Sequence, residues 1–495
     1  MVLFKVVVSG VEGVSLCVRL VFFPGKEDTM MSTSMAVSSS PRCGASTKRS
    51  ANSSASSRRT TTSSSSRRAL AIIGKKSTWR RTERRVKAFD FVKAKAEGGV
   101  DYVQTADLYD GSKQTQLYSG LGGQALNAKE KEFPTIAQVL AKIPKECFER
   151  STAKSLMYAG ISTAITLSVG LVAWATLPFT AYYLPAWIAY AYVAGTAATG
   201  CWVAAHECGH GAFSDNRTIQ DTVGYILHSL LLVPYFSWQR SHAVHHSKTN
   251  HVSEGETHVP AQMGSDEANL MFGLRNTIGK TLCSALNLIG VLLFGWPLYL
   301  LMGASGGPVR GKTNHFIPKM GASGKHALFP GKWENKVWYS DVGVALTIGM
   351  VAYWAMQTSF ATVFGLYVAP YLFTNFWLVL YTWLQHTDVD VPHFEGDDWN
   401  LVKGAFMTID RPYGKVYDFL HHRIGSTHVA HHINHTIPHY NAVKATEAIK
   451  QNWPDLYLFD PTPIAQATWR VGSECVAIVR KGDEYVFSNE PLPKL

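Results

Sequence analysis

From Ser155 to His210 the chain reads SLMYAGISTAITLSVGLVAWATLPFTAYYLPAWIAYAYVAGTAATGCWVAAHECGH, and up to Ala205 it contains no Asp, Glu, Lys or Arg. One helical crossing of a bilayer takes about 20 apolar residues. The stretch is long enough for two crossings, with the reversal at the turn-rich Pro178–Pro185. A soluble helix pair rarely stays uncharged all round over such a length. The reading is therefore a transmembrane hairpin. Where it ends, His206-Glu207-Cys208-Gly209-His210 places two histidines four residues apart, on one face of a helix.

Two further clusters follow, His242-Ala243-Val244-His245-His246 and His428-Val429-Ala430-His431-His432. In each, the first histidine meets the next two at i+3 and i+4, so three rings share one side of a helix. Neutral imidazole suits iron, copper, zinc and nickel. One such box is a common polar accident; three in this order beside a membrane predict an enclosed polynuclear metal centre acting on something dissolved in lipid. His206, His210, His242, His245, His246, His428, His431 and His432 are the ligand candidates, and their number suits two metal ions with room for oxygen. His386, in Trp383-Leu384-Gln385-His386-Thr387, is a ninth. His251, His258, His393, His421, His422, His435 and His439 are expected outside the ligand set. Glu254–Glu256 and Asp388–Asp390 are candidates to orient ligand rings, or are simply solvated loops.

A second uncharged stretch, Val342–Thr387, predicts a second hairpin turning near Gln357–Ala361. The four spans are expected at about 155–178, 182–205, 342–359 and 362–385. Val223–Phe236 is apolar but too short to cross and is expected in the interface. Thr281–Val309 is uncharged and long enough for one span, yet holds Pro297 and the turn-rich Gly303–Pro308. If it crossed, the third box would lie about 30 Å of hydrocarbon from the first two. It is therefore read as re-entrant or interfacial, with all boxes on one membrane side. Basic residues around Lys145–Lys154 and Arg411–Lys415 suit the cytosolic or stromal side. The fold expected is an all-α polytopic membrane protein: two transmembrane hairpins, interfacial helices, and a histidine-rich metal domain on one face.

The net charge of +11 is local. Thr29–Thr82 has no acidic residue and 11 basic ones, so the remainder is formally neutral and gives no case for nucleic-acid binding. Its Arg and Ser bias reads as an organellar transit peptide. The expected organisation is an extension over 1–87, disordered with a transit peptide, a soluble lead-in over 88–150 with a helix at Ile136–Lys142, the membrane domain over 151–465, and a tail over 466–495. The seven cysteines have no C-x-x-C pair or regular spacing, hence no disulfide or zinc framework.

The boxes, their order and their place beside two hairpins closely resemble the membrane fatty-acid desaturases, over roughly Phe133–Pro463. The likeness extends to Val233-Pro234-Tyr235-Phe236-Ser237-Trp238, Asp410-Arg411-Pro412-Tyr413-Gly414 and Ile437-Pro438-His439-Tyr440-Asn441-Ala442. It implies a non-haem centre of two irons, O₂ as co-substrate, an acyl-lipid substrate, and a cis double bond made near the methyl end. A fused His-Pro-Gly-Gly haem motif is absent, which implies a separate electron donor, ferredoxin or cytochrome b5. Gly425-Ser426-Thr427, Gly209-His210-Gly211 and Asp460-Pro461-Thr462-Pro463 look most like algal omega-3 enzymes, whereas Val429-Ala430 and Asn441-Ala442 also occur in omega-6 (delta-12) enzymes. Omega-3 desaturation in a plastid membrane is the expectation; omega-6 desaturation, a hydroxylase on the same centre, and endoplasmic-reticulum residence are the alternatives. A metal transporter would place ligands at the bilayer midplane, where neither hairpin has a histidine or a charge.

Overall fold

The computed structural model describes residues 131–491, together with Leu121 and two short strands, β1 (Val2–Lys5) and β2 (Arg19–Phe22). The chain divides into the units Met1–Phe91 and Val92–Leu495. In the first, β1 and β2 pair antiparallel, Val2 opposite Phe22. The rest of the expected 1–87 extension, including Thr29–Thr82, lies outside the described residues. All that follows concerns the second unit.

After a short helix α1 (Ile136–Lys142), as expected, the first hairpin is α2 (Thr152–Thr176) and α3 (Leu184–His210). Ser151 caps α2 by accepting the Lys154 N–H. Pro185 sits in the first turn of α3, where its missing N–H costs nothing. Gly211, at φ 77°, ends α3 just past the first box. Two helices follow at the exit: α4 (Arg217–Leu230) and α5 (Tyr235–Ser247), the latter carrying the second box. Next come α6 (Asp266–Ile278), α7 (Lys280–Met302), α8 (Lys332–Gln357) and α9 (Phe360–His386), with a π turn at Phe364–Val368. The membrane helices centre on α3 and α9. Their backbones approach so closely that a Cβ on Gly195 would stand 2.5 Å from Phe373 Cβ and Pro370 O. The outer faces of α2 (Leu167, Leu171, Val172), α7 (Leu286, Ile289) and α8 (Leu346, Met350) are apolar and exposed, a surface for lipid.

Four helical stretches are long and apolar enough to cross a bilayer, the number expected but not the same four: Thr152–Thr176, Ala181–His210, Lys280–Met302 and Phe360–His386. The expected span at 342–359 is the end of α8, whose first turns carry Lys332, Glu334, Lys336 and Asp341. Its uncharged part, 342–357, falls short of the ~20 residues of a full crossing. It packs on α4 and α5, with Ser340 Oγ accepting the Phe236 N–H at 2.9 Å.

The Thr281–Val309 element also differs. It is one uninterrupted helix through Pro297, ending at Gly303 (φ 61°), and is itself long and apolar enough to cross a bilayer. Yet both of its ends rest on the layer that bears the histidines. Lys280 pairs with Glu474 at 2.7 Å, and Tyr299 donates to Glu256 at 3.1 Å.

That layer consists of short pieces: α10 (Leu401–Phe406), β3 (Ile409–Asp410), α11 (Lys415–Leu420), α12 (His428–Ile433), α13 (His439–Asn452) and β4 (Leu458–Phe459), with β3 and β4 parallel. Residues 464–488, expected to belong mostly to a tail, form α14 (Ile464–Glu474) and the hairpin β5 (Ala477–Lys481)–β6 (Glu484–Ser488). The hairpin fastens two loops: Ile478 N–H donates to Ala261 O at 2.8 Å, and His393 and Tyr485 exchange backbone hydrogen bonds, each 2.8 Å. Beneath it Arg411, fully buried, pairs with Asp388 at 2.5 Å and Asp460 at 3.0 Å. Removing one partner of such a buried pair typically costs about 3–5 kcal/mol, because the other charge is stranded.

Candidate metal centre

Each box is helical, so each presents its rings on one face. His206 and His210 close α3, His242, His245 and His246 close α5, and His428, His431 and His432 begin α12. Asp410 sets α12 in place: its carboxylate accepts the Val429 N–H at 2.9 Å and the Tyr457 O–H at 2.6 Å, and burial pushes its pKa up to about 6. The helices converge, and the rings separate into two groups. His206, His210, His242, His246 and His431 bring ligand nitrogens within 4.8 Å of one another, and so do His245, His386 and His432. His428 joins the second group, its Nε2 lying 3.0 Å from His386 Nε2. The structure thus gathers all nine candidates, as five and four.

The donor set fits cations. His206, His210, His242 and His246 form a chain of Nε2···Nε2 approaches of 3.0–3.3 Å. His245 and His386 approach to 3.1 Å. Lone pairs so placed repel unless a proton or a cation stands between them. His431 Nε2 and His432 Nε2 are buried without any hydrogen-bond partner, which native interiors rarely allow. The tautomer of His432 follows from its neighbour. Thr249 Oγ1 gives its one proton to His245 O at 2.8 Å, so at 3.0 Å it accepts from His432 Nδ1–H. The bare Nε2 then faces the group. Burial first, and the neighbouring imidazoles after it, hold His242, His246, His428, His431 and His432 well below the usual histidine pKa. His245 is lowered to about 3, again chiefly by burial. These rings are neutral at pH 7, the form that ligates.

The surroundings differ from the expected ones. Glu254 pairs with Lys248. Glu256, raised to about 8 by burial, meets Tyr299 and Arg310, and Asp388 meets two arginines. Among the contacts described, none of these three holds a box histidine. Glu207, inside the first box, lies nearer: its Oε1 is 3.7 Å from His206 Nδ1, and its Oε2 accepts the His439 N–H at 2.9 Å. The box spacing itself was the available signal, since Glu207 follows His206 directly. His393, His421 and His422 lie outside the two groups and are buried: His421 bridges Tyr381 and Thr196, and His422 meets Ser162. Aromatic rings wall the five-histidine group, with Trp238 stacked on His242 (4.6 Å, 23°) and Trp202 at 5.5 Å from His206.

The family model for fatty acid desaturases matches residues 183–462, from the second span to 30 residues past the last box. The chain belongs to the fatty acid desaturase family. This desaturase is 38% identical over 386 residues to a delta(12) fatty acid desaturase of Mortierella alpina, covering 73% of the chain and 92% of that protein. It is 39% identical over 371 residues to a delta(12)-fatty-acid desaturase of Arabidopsis thaliana, covering 73% and 93%. To an omega-6 fatty acid desaturase of the endoplasmic reticulum from Brassica juncea it is 38% identical over 348 residues, covering 70% and 87%. The desaturase is thus a membrane oxidoreductase acting on fatty acyl chains. The expected omega-3 regiochemistry and plastid location find no support in these names; the omega-6 and endoplasmic-reticulum alternatives do.

Proposed function

We propose that the chain is an omega-6, delta-12-type acyl-lipid desaturase of the endoplasmic reticulum, with iron bound by the two histidine groups. Five histidines, His206, His210, His242, His246 and His431, hold one ion; His245, His386, His428 and His432 hold the other. The observation that carries this is the convergence of nine histidine rings into two close groups, with His431 Nε2 and His432 Nε2 buried and without a hydrogen-bond partner. Iron held there would supply the oxidising chemistry, in which O₂, two electrons and two protons turn a pair of adjacent methylenes into a double bond with release of two waters. An unactivated methylene has no acidic proton, so side-chain acid–base chemistry alone cannot do this. The protein's own part is position. Trp202, Trp238 and Trp296 pack together as a buried aromatic wall beside the five-histidine group, an apolar surface of the kind an acyl chain needs. Thr249 fixes the orientation of the His432 ring, and the Glu207 carboxylate faces His206 Nδ1 at 3.7 Å. The electrons come from a separate donor, ferredoxin or cytochrome b5.

The relatives' names favour delta-12 insertion and the endoplasmic reticulum. Expression in a eukaryotic host that makes oleate tests the first, with linoleate fed in parallel and double-bond positions read by mass spectrometry. Linoleate formed from oleate is expected; conversion of linoleate alone overturns the reading, and a hydroxy acid would indicate the hydroxylase variant. A fluorescent fusion of the full chain tests the second, with a reticular pattern expected and a plastid signal contrary.

A further inference from the structure

The desaturase match stops at residue 462, but α14 begins at Ile464, and it carries Arg470. Arg470 reaches into the histidine layer. Its Nε is 2.9 Å from Asp388 Oδ1 and its Nη2 2.6 Å from Asp388 Oδ2, a two-pronged grip, while Nη2 also lies 2.7 Å from Asp460 Oδ2. Asp388 is fully buried and pairs from its other side with Arg411. Asp388 stands two residues after His386.

This matters because His386 differs from the other rings. Each box histidine has a second candidate ligand on its own helix at i±3 or i±4, so the helix itself sets the spacing. His386 is alone at the last residue of α9, and the chain turns extended at Thr387 (φ −138°, ψ 125°). A terminal residue takes its orientation from what holds the chain beyond it. Here that is Asp388, fixed by Arg411 and Arg470 together.

We propose that Arg470 is a positioning residue for the four-histidine group: by gripping Asp388 it holds His386 at ligating distance from His245 and His428, which makes α14 part of the metal-binding unit. The inference rests on the two-metal reading above. A guanidinium fork matches a carboxylate on both oxygens, and a lysine's point charge does not. Outer partners of this kind typically contribute 10–100-fold in metal affinity.

The test uses full-length protein purified in detergent, with Arg470→Gln and Arg470→Lys beside the unchanged chain. The readouts are iron per chain, the Mössbauer spectrum, and thermal unfolding of the metal-free protein. Arg470→Gln should weaken iron at the four-histidine group roughly 10–100-fold while the five-histidine group stays loaded. Arg470→Lys should recover that loss only in part. Unchanged iron content in Arg470→Gln overturns the proposal. Parallel loss of both irons, with a matching fall in stability of the metal-free protein, also overturns it, since Arg470 would then serve the fold alone. If the unchanged chain fails to bind two irons, it is the two-metal reading that fails.

Discussion

The two histidine groups lie side by side but are built differently. The five-histidine group is assembled from helix faces: two rings from α3, two from α5 and one from α12, with spacings set by the helices. The four-histidine group takes His245 from α5, His428 and His432 from α12, and the lone His386 from the end of α9. Both need their helices packed together, but the second also depends on tertiary contacts that bring a lone helix terminus to the boxes. The difference teaches which signals a sequence carries. Local periodicity shows in the spacing, whereas an isolated ligand is marked only by the span that ends on it.

The largest effect should come from the ligands themselves. Alanine at His431 or at His386 should reduce desaturation to the detection limit while the chain still inserts, and so should alanine at any other of the nine. The comparison sharpens in the metal content: His431→Ala should empty the five-histidine group and His386→Ala the four-histidine group, leaving distinct residual spectra. Normal product formation in any two of these variants would break the assignment.

A smaller and separable effect is expected from the residues that orient the rings. Glu207→Gln acts beside His206, and Thr249→Val removes the acceptor of His432 Nδ1–H. Each should cost roughly 10–100-fold in metal affinity or turnover, the first at the five-histidine group and the second at the four-histidine group. Iron titrations that show both variants acting on the same group would erase the distinction.

Much of this was legible in the chain. The uncharged runs located α2, α3 and α9, and the boxes located eight rings by spacing alone. The rest was tertiary. Nothing in the sequence splits nine histidines into five and four, because the split depends on how α5 and α12 rotate against α3 and α9. Arg470 is nearly 40 residues beyond the last box, and only folding brings it to Asp388. The acidic runs were open between solvated loops and ring-orienting carboxylates, and Glu256 and Asp388 are neither, being buried against arginines.

Acid should act more gradually. Burial lowers His315, His393 and His422 to about 3 and His421 to about 4. Unfolded, each titrates near 6.5. Between those values the unfolded chain binds protons that the folded one does not, so stability falls as pH drops below about 6.5 and is fully present above it. Each group contributes at most about 1.4 kcal/mol per pH unit in that window. Glu256, raised to about 8, and Asp410, raised to about 6, act in the opposite sense. The thermal unfolding temperature in detergent should therefore rise slightly from pH 8 to about 6.5 and then fall toward pH 5 as the more numerous histidines dominate. A rise in stability toward pH 5 would mean that these rings are not buried and neutral.

The smallest effects concern α7, whose two ends can be compared directly. Tyr299, buried, donates to the buried Glu256, so Tyr299→Phe strands an acceptor and should cost about 1–3 kcal/mol. Lys280 is half exposed in its pair with Glu474, so Lys280→Ala should cost no more than about 1 kcal/mol. Both contacts tie α7 to the histidine layer, and the expectation from them is that its two ends share one membrane side. Tags placed near Asp266 and near Lys325 should therefore be digested together in sealed vesicles, along with one at the C-terminus. If α7 crossed instead, its far end would carry Glu256's partner about 30 Å away, and the Lys325 tag alone would be protected. That outcome would also detach α7 from the metal layer, and Tyr299→Phe would then leave stability unchanged.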